Sequence, residues 1–316
     1  MRKTFLFFLL VLMALPGTLS AGTGRTGWVI MRKARSAKFK PVATTPVMAV
    51  RGDLSGVFYN PAVLALNPSR ELFLLSEIGM ADDTFAGAVY GHPVTYGSWA
   101  AGIIYYDAGD MELSWFDGAG FQSETVKAQR DIMAMLSYGF RYTPRLSAGI
   151  TLKAASSELF ERASAGALAL DAGIIYEPER VGNLSLAAAV QNIGTSTEFI
   201  NKANPLPSAA HAGGAYWMDI GTYYITPGFD ITFIFKEDRF IPELGFEAGT
   251  GPVSFNTGLR MDVDEAAWHF GLTWLQESYD IAYAYLPGGN LDPVHRVSIG
   301  YRFDRPGPGP DPEEEE

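Results

Sequence analysis

The residue types that most often carry chemistry are sparse in this chain. It has four histidines, His92, His211, His269 and His295, and no cysteine. The histidines fall on separate strands or turns, and none stands at ligand spacing from another, as a zinc site would require. Without cysteine there can be no thiolate metal site, disulfide or lipid attached through a thiol. No Gly-x-Ser-x-Gly elbow offers a nucleophilic serine. These residues argue against an enzyme, so no catalytic residue, metal or other cofactor is expected. A net charge of −11 provides no basic face for phosphates, which removes nucleic acid as a partner.

The stretch that could instead make contacts is residues 56–68, Gly-Val-Phe-Tyr-Asn-Pro-Ala-Val-Leu-Ala-Leu-Asn-Pro. Asn60 is a good helix N-cap, because its side-chain oxygen can accept from first-turn N–H groups. Pro61 suits the first helical position, where its missing N–H costs nothing. Ala62–Leu66 then predicts about two helical turns. Asn67-Pro68 stops them, since proline disfavours helical geometry in the residue before it. Phe58, Tyr59, Asn60, Pro61, Ala62, Val63 and Leu66 form the candidate contact surface. The unit is either a lead-in helix on the rim of the fold or a plug inside it that an apolar ligand could touch.

The elements that must position this helix are strands. From Arg70 onward, apolar residues alternate with polar or small ones. In residues 145–153 one face is Leu146, Ala148, Ile150 and Leu152, and the other is Arg145, Ser147, Gly149, Thr151 and Lys153. Period two sustained in this way predicts strands with one apolar and one wet face. About fourteen such segments follow one another, at 70–79, 84–92, 97–116, 130–142, 145–157, 165–176, 183–193, 209–218, 222–235, 240–249, 252–261, 266–275, 278–286 and 294–303. The third could bend near Gly109 or be two strands. If the first strand rises from the periplasm, every second connection is short (93–96, 143–144, 177–182, 219–221, 250–251, 276–277). The longer ones (117–129, 158–164, 194–208, 287–293) all fall on the other side.

Loop sorting of this kind marks an all-β, antiparallel transmembrane barrel in a bacterial outer membrane, with membrane lipid as its first partner. Arg141, Lys153, Asp171, Asp230, Glu247, Arg260 and Asp280 lie opposite the apolar stripes and would line the interior. Trp99, Tyr142, Tyr176, Trp217, Trp268, Trp274, Tyr301 and Phe303 cluster near strand ends, where amphipathic rings meet headgroups. The ends read differently. Met1-Arg2-Lys3 followed by an apolar run over 4–15 and small residues is an export signal, cut near Ser20 or Ala21. Residues 22–69 form a periplasmic arm and plug, with Arg25, Arg32, Lys33, Arg35, Lys38 and Lys40 and no acid over 22–40. The barrel spans 70–303. The Pro/Gly-rich acidic tail, 304–316, is expected to be disordered.

The helical stretch directly before the first strand resembles the Asn-Pro-Ala hatch of FadL-like outer-membrane barrels, especially the PorV/PorQ branch. Residues 186–194 (Leu-Ala-Ala-Ala-Val-Gln-Asn-Ile-Gly) resemble that branch's strand ending in Gln-Asn. Residues 199–217, with Pro205-Leu206-Pro207, resemble the loop after it, and 105–118 its long strand with a Gly-Asp bend. Val63 stands where the family commonly has glycine. The resemblance implies a fourteen-stranded barrel with an N-terminal plug in its lumen. It implies one of two roles: passage of small hydrophobic molecules across the outer membrane, or a non-enzymatic scaffold that binds exported proteins in a type IX-like secretion system. In the second role Phe199, Pro205, Leu206 and Pro207 of the outer loop would meet the partner.

Overall fold

The computed structural model describes residues 26–33, 36–38, 53–79, 83–118, 120–199, 204–261, 266–287 and 292–303. In chain order the strands are β1 (Glu71–Ile78), β2 (Thr84–Val94), β3 (Gly97–Asp107), β4 (Asp110–Phe116), β5 (Phe121–Lys127), β6 (Gln129–Thr143), β7 (Leu146–Leu159), β8 (Ala163–Tyr176), β9 (Leu184–Ser196), β10 (Ala209–Tyr216), β11 (Met218–Ile220), β12 (Tyr223–Ile234), β13 (Arg239–Thr250), β14 (Val253–Met261), β15 (Ala266–Leu275), β16 (Tyr279–Leu286) and β17 (Val294–Arg302). Neighbours pair antiparallel. The sheet closes where β1 pairs with β17 and β10 with β12. With β4, β5 and the three-residue β11 set aside, fourteen strands make the wall of a closed barrel.

The third expected strand, 97–116, breaks in two. β3 ends at Asp107, whose side chain accepts from the Gly109 amide at 2.8 Å, and Gly109 takes φ 84°. A positive φ suits glycine, so the chain turns out of the wall there. Beyond it, β4 pairs only with β5 as a projecting hairpin, and β3 pairs with β6. The wall keeps an even count because both added strands leave it. Residues 121–127, expected as loop, are the hairpin's second strand. The loop expected over 158–164 shrinks to a tight turn in which Phe160 and Glu161 adopt φ 53° and 54°. The contrast between the two ends is carried instead by the hairpin, by 197–208 and by 287–293.

The faces are inverted relative to a water-soluble protein. Mid-wall Leu136, Ile150, Leu152 and Leu168 are more than half exposed, whereas Lys153, Asp171, Asp230 and Asp280 are buried. An apolar belt of this extent is stable only against hydrocarbon. A closed ladder leaves no unpaired backbone edge to enter it. Tyr142, Tyr176, Trp274, Tyr301 and Phe303 point outward near the short-turn end, and Trp268 does so toward the other end. Arg141 departs from the expected lining. The β6–β7 register shifts between Arg141 and Thr143, and Arg141 is exposed at the short-turn mouth.

Candidate functional site: a lumen occupied by the N-terminal segment

The unit before β1 consists of two short 3-10 helices, Leu54–Phe58 and Pro61–Leu66, and not one two-turn α-helix. The caps act as their chemistry dictates. Asn60 accepts from the Ala62 amide at 3.0 Å, Pro61 opens the helix, and Asp53 caps the earlier one through the Ser55 amide at 2.9 Å. Val63 is buried at a negative φ, so its position makes no demand for glycine. Phe58, Tyr59, Asn60, Pro61, Ala62 and Val63 are all buried, and Leu66 is half-buried.

These helices sit against inward-facing positions of the wall near the short-turn end. Glycine makes the approach possible. A Cβ on Gly139 would come within 2.7 Å of both Leu64 Cβ and the Pro61 carbonyl, and one on Gly91 within 2.6 Å of Leu54. Gly149 and Gly173 face Pro61 and Asn60 in the same way. Polar hooks fix the register. Asn60 Nδ2 donates to the Ile174 carbonyl at 3.0 Å and the Ala188 carbonyl at 3.4 Å, across paired positions of β8 and β9. Gln191 Nε2 donates to the Phe58 and Tyr59 carbonyls at 2.9 and 2.7 Å. Ser98 Oγ donates to the Asn67 carbonyl at 3.2 Å.

Next to Gln191, Asn192 adopts φ 56° at the point where the β8–β9 register shifts. Its amide donates to Asp171 at 2.8 Å, and its side-chain oxygen accepts from Lys153 at 2.9 Å. Lys153 pairs in turn with Asp171 at 2.5 Å. A buried charge without a partner would cost several kcal/mol, and this set gives Lys153 and Asp171 each an opposite charge inside the wall.

The arm was expected in the periplasm, outside the barrel. Its described residues lie within the lumen and reach the end opposite the 3-10 helices. There Lys33 pairs with Glu77 at 2.9 Å and Asp83 at 2.5 Å, and its ammonium lies 4.9 Å from the centre of the Tyr106 ring. Glu77 also pairs with Arg296. Thr26 donates to Glu237, and Arg32 lies 3.4 Å from the same carboxylate. The short helix α1 (Val29–Arg32) places Ile30 and Met31 in the apolar cluster.

Deeper in, Lys38 bridges Asp53 (2.5 Å) and Asp280, and Asp280 also accepts from Arg302 at 2.7 Å. Burial disfavours charge on Lys38, but Asp53 and Asp280 outweigh it, and its pKa rises above the ordinary 10.5. Burial also works against the Asp53 carboxylate. Lys38 and the Ser55 hydrogen bonds overcome that and hold it below the ordinary 3.8.

The loop candidates turn inward. Leu206 and Pro207 are buried, and Pro205 is half-buried with its carbonyl accepting from Gly27 at 3.1 Å. Phe199 lies 6.2 Å from Trp28, centre to centre. Leu206 and Phe199 share the apolar cluster that Trp28 of the arm joins. Trp217 is no girdle residue: it stacks on Tyr224 at 4.2 Å and lines a cavity. The histidines do not meet one another. Their ring nitrogens bond Tyr90, Thr232, Asn256 and Tyr283 respectively. Among the described residues no three His, Asp or Glu side chains group as a metal site.

The lumen thus has two sides. One apolar cluster runs from Trp28, Ile30 and Met31 through Phe58 and Val57 to Ala62 and Leu64, against Phe73, Phe85, Ile104, Met133 and Met135 of β1, β2, β3 and β6. The opposite wall carries Asp230, Glu243, Glu247, Asn256, Thr273 and Asp280.

These features define a closed fourteen-stranded membrane barrel whose lumen is occupied by its own N-terminal segment. No protein-family model and no curated protein matches the sequence. Solved structures do match in fold. The Pseudomonas putida toluene transporter TodX aligns at TM-score 0.54 and 11% identity, over 85% of this chain and 96% of that one. The CymD monoaromatic hydrocarbon channel aligns at 0.52 and 11%, over 84% and 99%. A Pseudomonas aeruginosa FadL homologue aligns at 0.52 and 12%, over 86% and 98%. At this identity the likeness is one of fold: the chain has the FadL-like barrel architecture.

Proposed function

We propose that the chain is an outer-membrane channel for small hydrophobic molecules, closed at rest by its N-terminal segment. One observation carries this reading: the continuous apolar stripe inside the lumen, from Trp28 at the long-loop end to Leu64 at the short-turn end. A water-filled pore has no use for such a stripe, whereas an apolar solute that displaces the segment would find a graded apolar surface behind it. The shared fold with proteins described as toluene and monoaromatic hydrocarbon channels supports it. Phe58, Tyr59, Asn60, Pro61, Ala62, Val63 and Leu66 would be displaced or touched during passage. The test is accumulation of labelled toluene by cells with a lipopolysaccharide-bearing outer membrane, with and without the protein. Faster accumulation supports the reading; equal rates refute it.

The alternative, a cargo-binding scaffold of the PorV type in a type IX-like secretion system, is favoured by a different feature. The β4–β5 hairpin projects from the long-loop end and exposes Trp115, Phe116 and Phe121. Exported proteins recovered with the solubilised barrel, and lost when 110–127 is replaced by a Gly-Gly link, would select it over the channel.

A further inference from the structure

A cavity of about 170 Å³ lies near the short-turn mouth, between the N-terminal segment and β12–β15. Among the described residues, Lys38 and Asp53 line its inner side, and Trp217, Tyr224, Glu247, Pro252, Ser254, Thr273 and Leu275 are among those that line the wall side. Its size suits one six-membered ring or a short chain, since an apolar cavity of about 150 Å³ holds benzene. The Tyr224 ring covers Gly249, where a Cβ would come within 2.5 Å of it, and Trp217 stacks on the same ring at 4.2 Å between centres. The two rings form one rigid aromatic wall.

The chemistry of this cavity is set by Glu247. It is buried, and its Oε1 accepts from the Tyr224 hydroxyl at 2.7 Å. Among the described residues no lysine or arginine is ion-paired with it, while Lys38, the cation on the cavity's inner side, is already shared by Asp53 and Asp280. Two carboxyl groups, Asp53 and Glu247, and one ammonium, Lys38, thus face the space. A buried carboxylate without a paired cation is unfavourable, and a cation from outside relieves it. With aromatic faces on one side and Pro252 and Leu275 nearby, an organic ammonium suits the site better than a bare metal ion, because aromatic rings attract it and apolar side chains cover its body.

We infer that this cavity binds small primary amines carrying one apolar ring or short chain, with the ammonium on Glu247 and the body against Trp217 and Tyr224. The inference rests on the channel reading only for its biological setting: it adds a polar headgroup to the hydrophobic solutes proposed above. The experiment is calorimetric titration of the full-length barrel, folded in detergent at neutral pH, with benzylamine, benzyl alcohol, toluene and benzoate. Benzylamine is expected to bind about tenfold more tightly than benzyl alcohol or toluene, and benzoate not measurably.

Glu247→Gln should remove the preference for the amine and leave toluene binding unchanged. Thr273→Phe, which fills the cavity and keeps Glu247, should abolish binding of benzylamine, benzyl alcohol and toluene alike. Heat-dependent gel mobility confirms that each variant is folded. Benzyl alcohol binding as tightly as benzylamine, which needs no variant, would overturn the inference. So would absence of benzylamine binding, or an unchanged benzylamine affinity in Glu247→Gln. Toluene accumulation by cells is read separately: if it persists while benzylamine fails to bind, the subsite falls and the channel stands.

Discussion

Asn60→Ala removes three interactions at once, and their sum can be worked from the geometry. The cap bond to the Ala62 amide, at 3.0 Å, is worth about 1 kcal/mol. The bond to the Ile174 carbonyl at 3.0 Å contributes about 1 kcal/mol, and the 3.4 Å bond to the Ala188 carbonyl less than half of that. Neither wall carbonyl is orphaned, because both strands keep their ladder partners. The total is about 2–2.5 kcal/mol in favour of any state in which the segment has left its seat. That is about 30- to 70-fold in the ratio of displaced to seated segment. Single-channel recording in planar bilayers reads this ratio as open probability. It should rise by about that factor, with the barrel still folded by gel mobility, while Ser123→Ala on the projecting hairpin changes nothing. A folded Asn60→Ala barrel with unchanged open probability would show that the hooks do not hold the segment and would refute the reasoning.

Three further outcomes follow from the same contacts. Gly139→Val places a side chain where Leu64 and Pro61 sit, so it should raise resting conductance without unfolding the barrel. Leu152→Arg puts a charge on the lipid face and should destabilise the folded barrel by about 2–4 kcal/mol in urea titrations in lipid; Lys153→Leu, one residue along, should cost about 3–5 kcal/mol by leaving Asp171 buried and unpaired. The Lys38–Asp53 latch has a pH window with a definite sign. The depressed Asp53 contributes above its ordinary 3.8 and loses that as pH falls through its folded value. The raised Lys38 contributes below its ordinary 10.5 and loses that as pH rises through its folded value. With Glu71→Gln, which removes the other buried carboxyl that acts on this pair, resting conductance should therefore be flat between about pH 5 and pH 9; a rise within that range would count against this pair as the latch.

The wall was legible because each strand repeats the same short rule. Residues 145–157 alternate over the whole of β7, and a one-residue slip would turn Lys153 into lipid, so pattern and register fix each other. The caps of the second 3-10 helix were legible too, since Asn- and Pro-based caps act within three residues of themselves. What escaped was decided by contacts distant in sequence. Nothing near Lys38 shows that Asp280 will face it, and nothing near Arg32 points to Glu237. The arm's basic residues therefore resembled a solvated tail. Leu206 resembled part of an exposed loop for the same reason, because it is buried in the cluster that Trp28 of the arm joins. Gly109 carried a visible signal for a bend, but only strand pairing shows that the chain leaves the wall there. The inward glycines, Gly91, Gly139, Gly149 and Gly173, could have been read earlier: they share the polar parity of their strands, and glycine in a strand often marks close backbone approach.

The central claim is that the N-terminal segment must leave its seat for solute to pass. Because the chain has no cysteine, two introduced thiols are unique. Lys38→Cys with Asp280→Cys replaces a buried ion pair between segment and wall by two thiols that a short, reducible bifunctional reagent can join. Toluene accumulation in cells should be fast in the unlinked double variant, fall to the background of cells lacking the protein when the thiols are joined, and return on reduction. Equal accumulation in the joined and unjoined states would contradict the account.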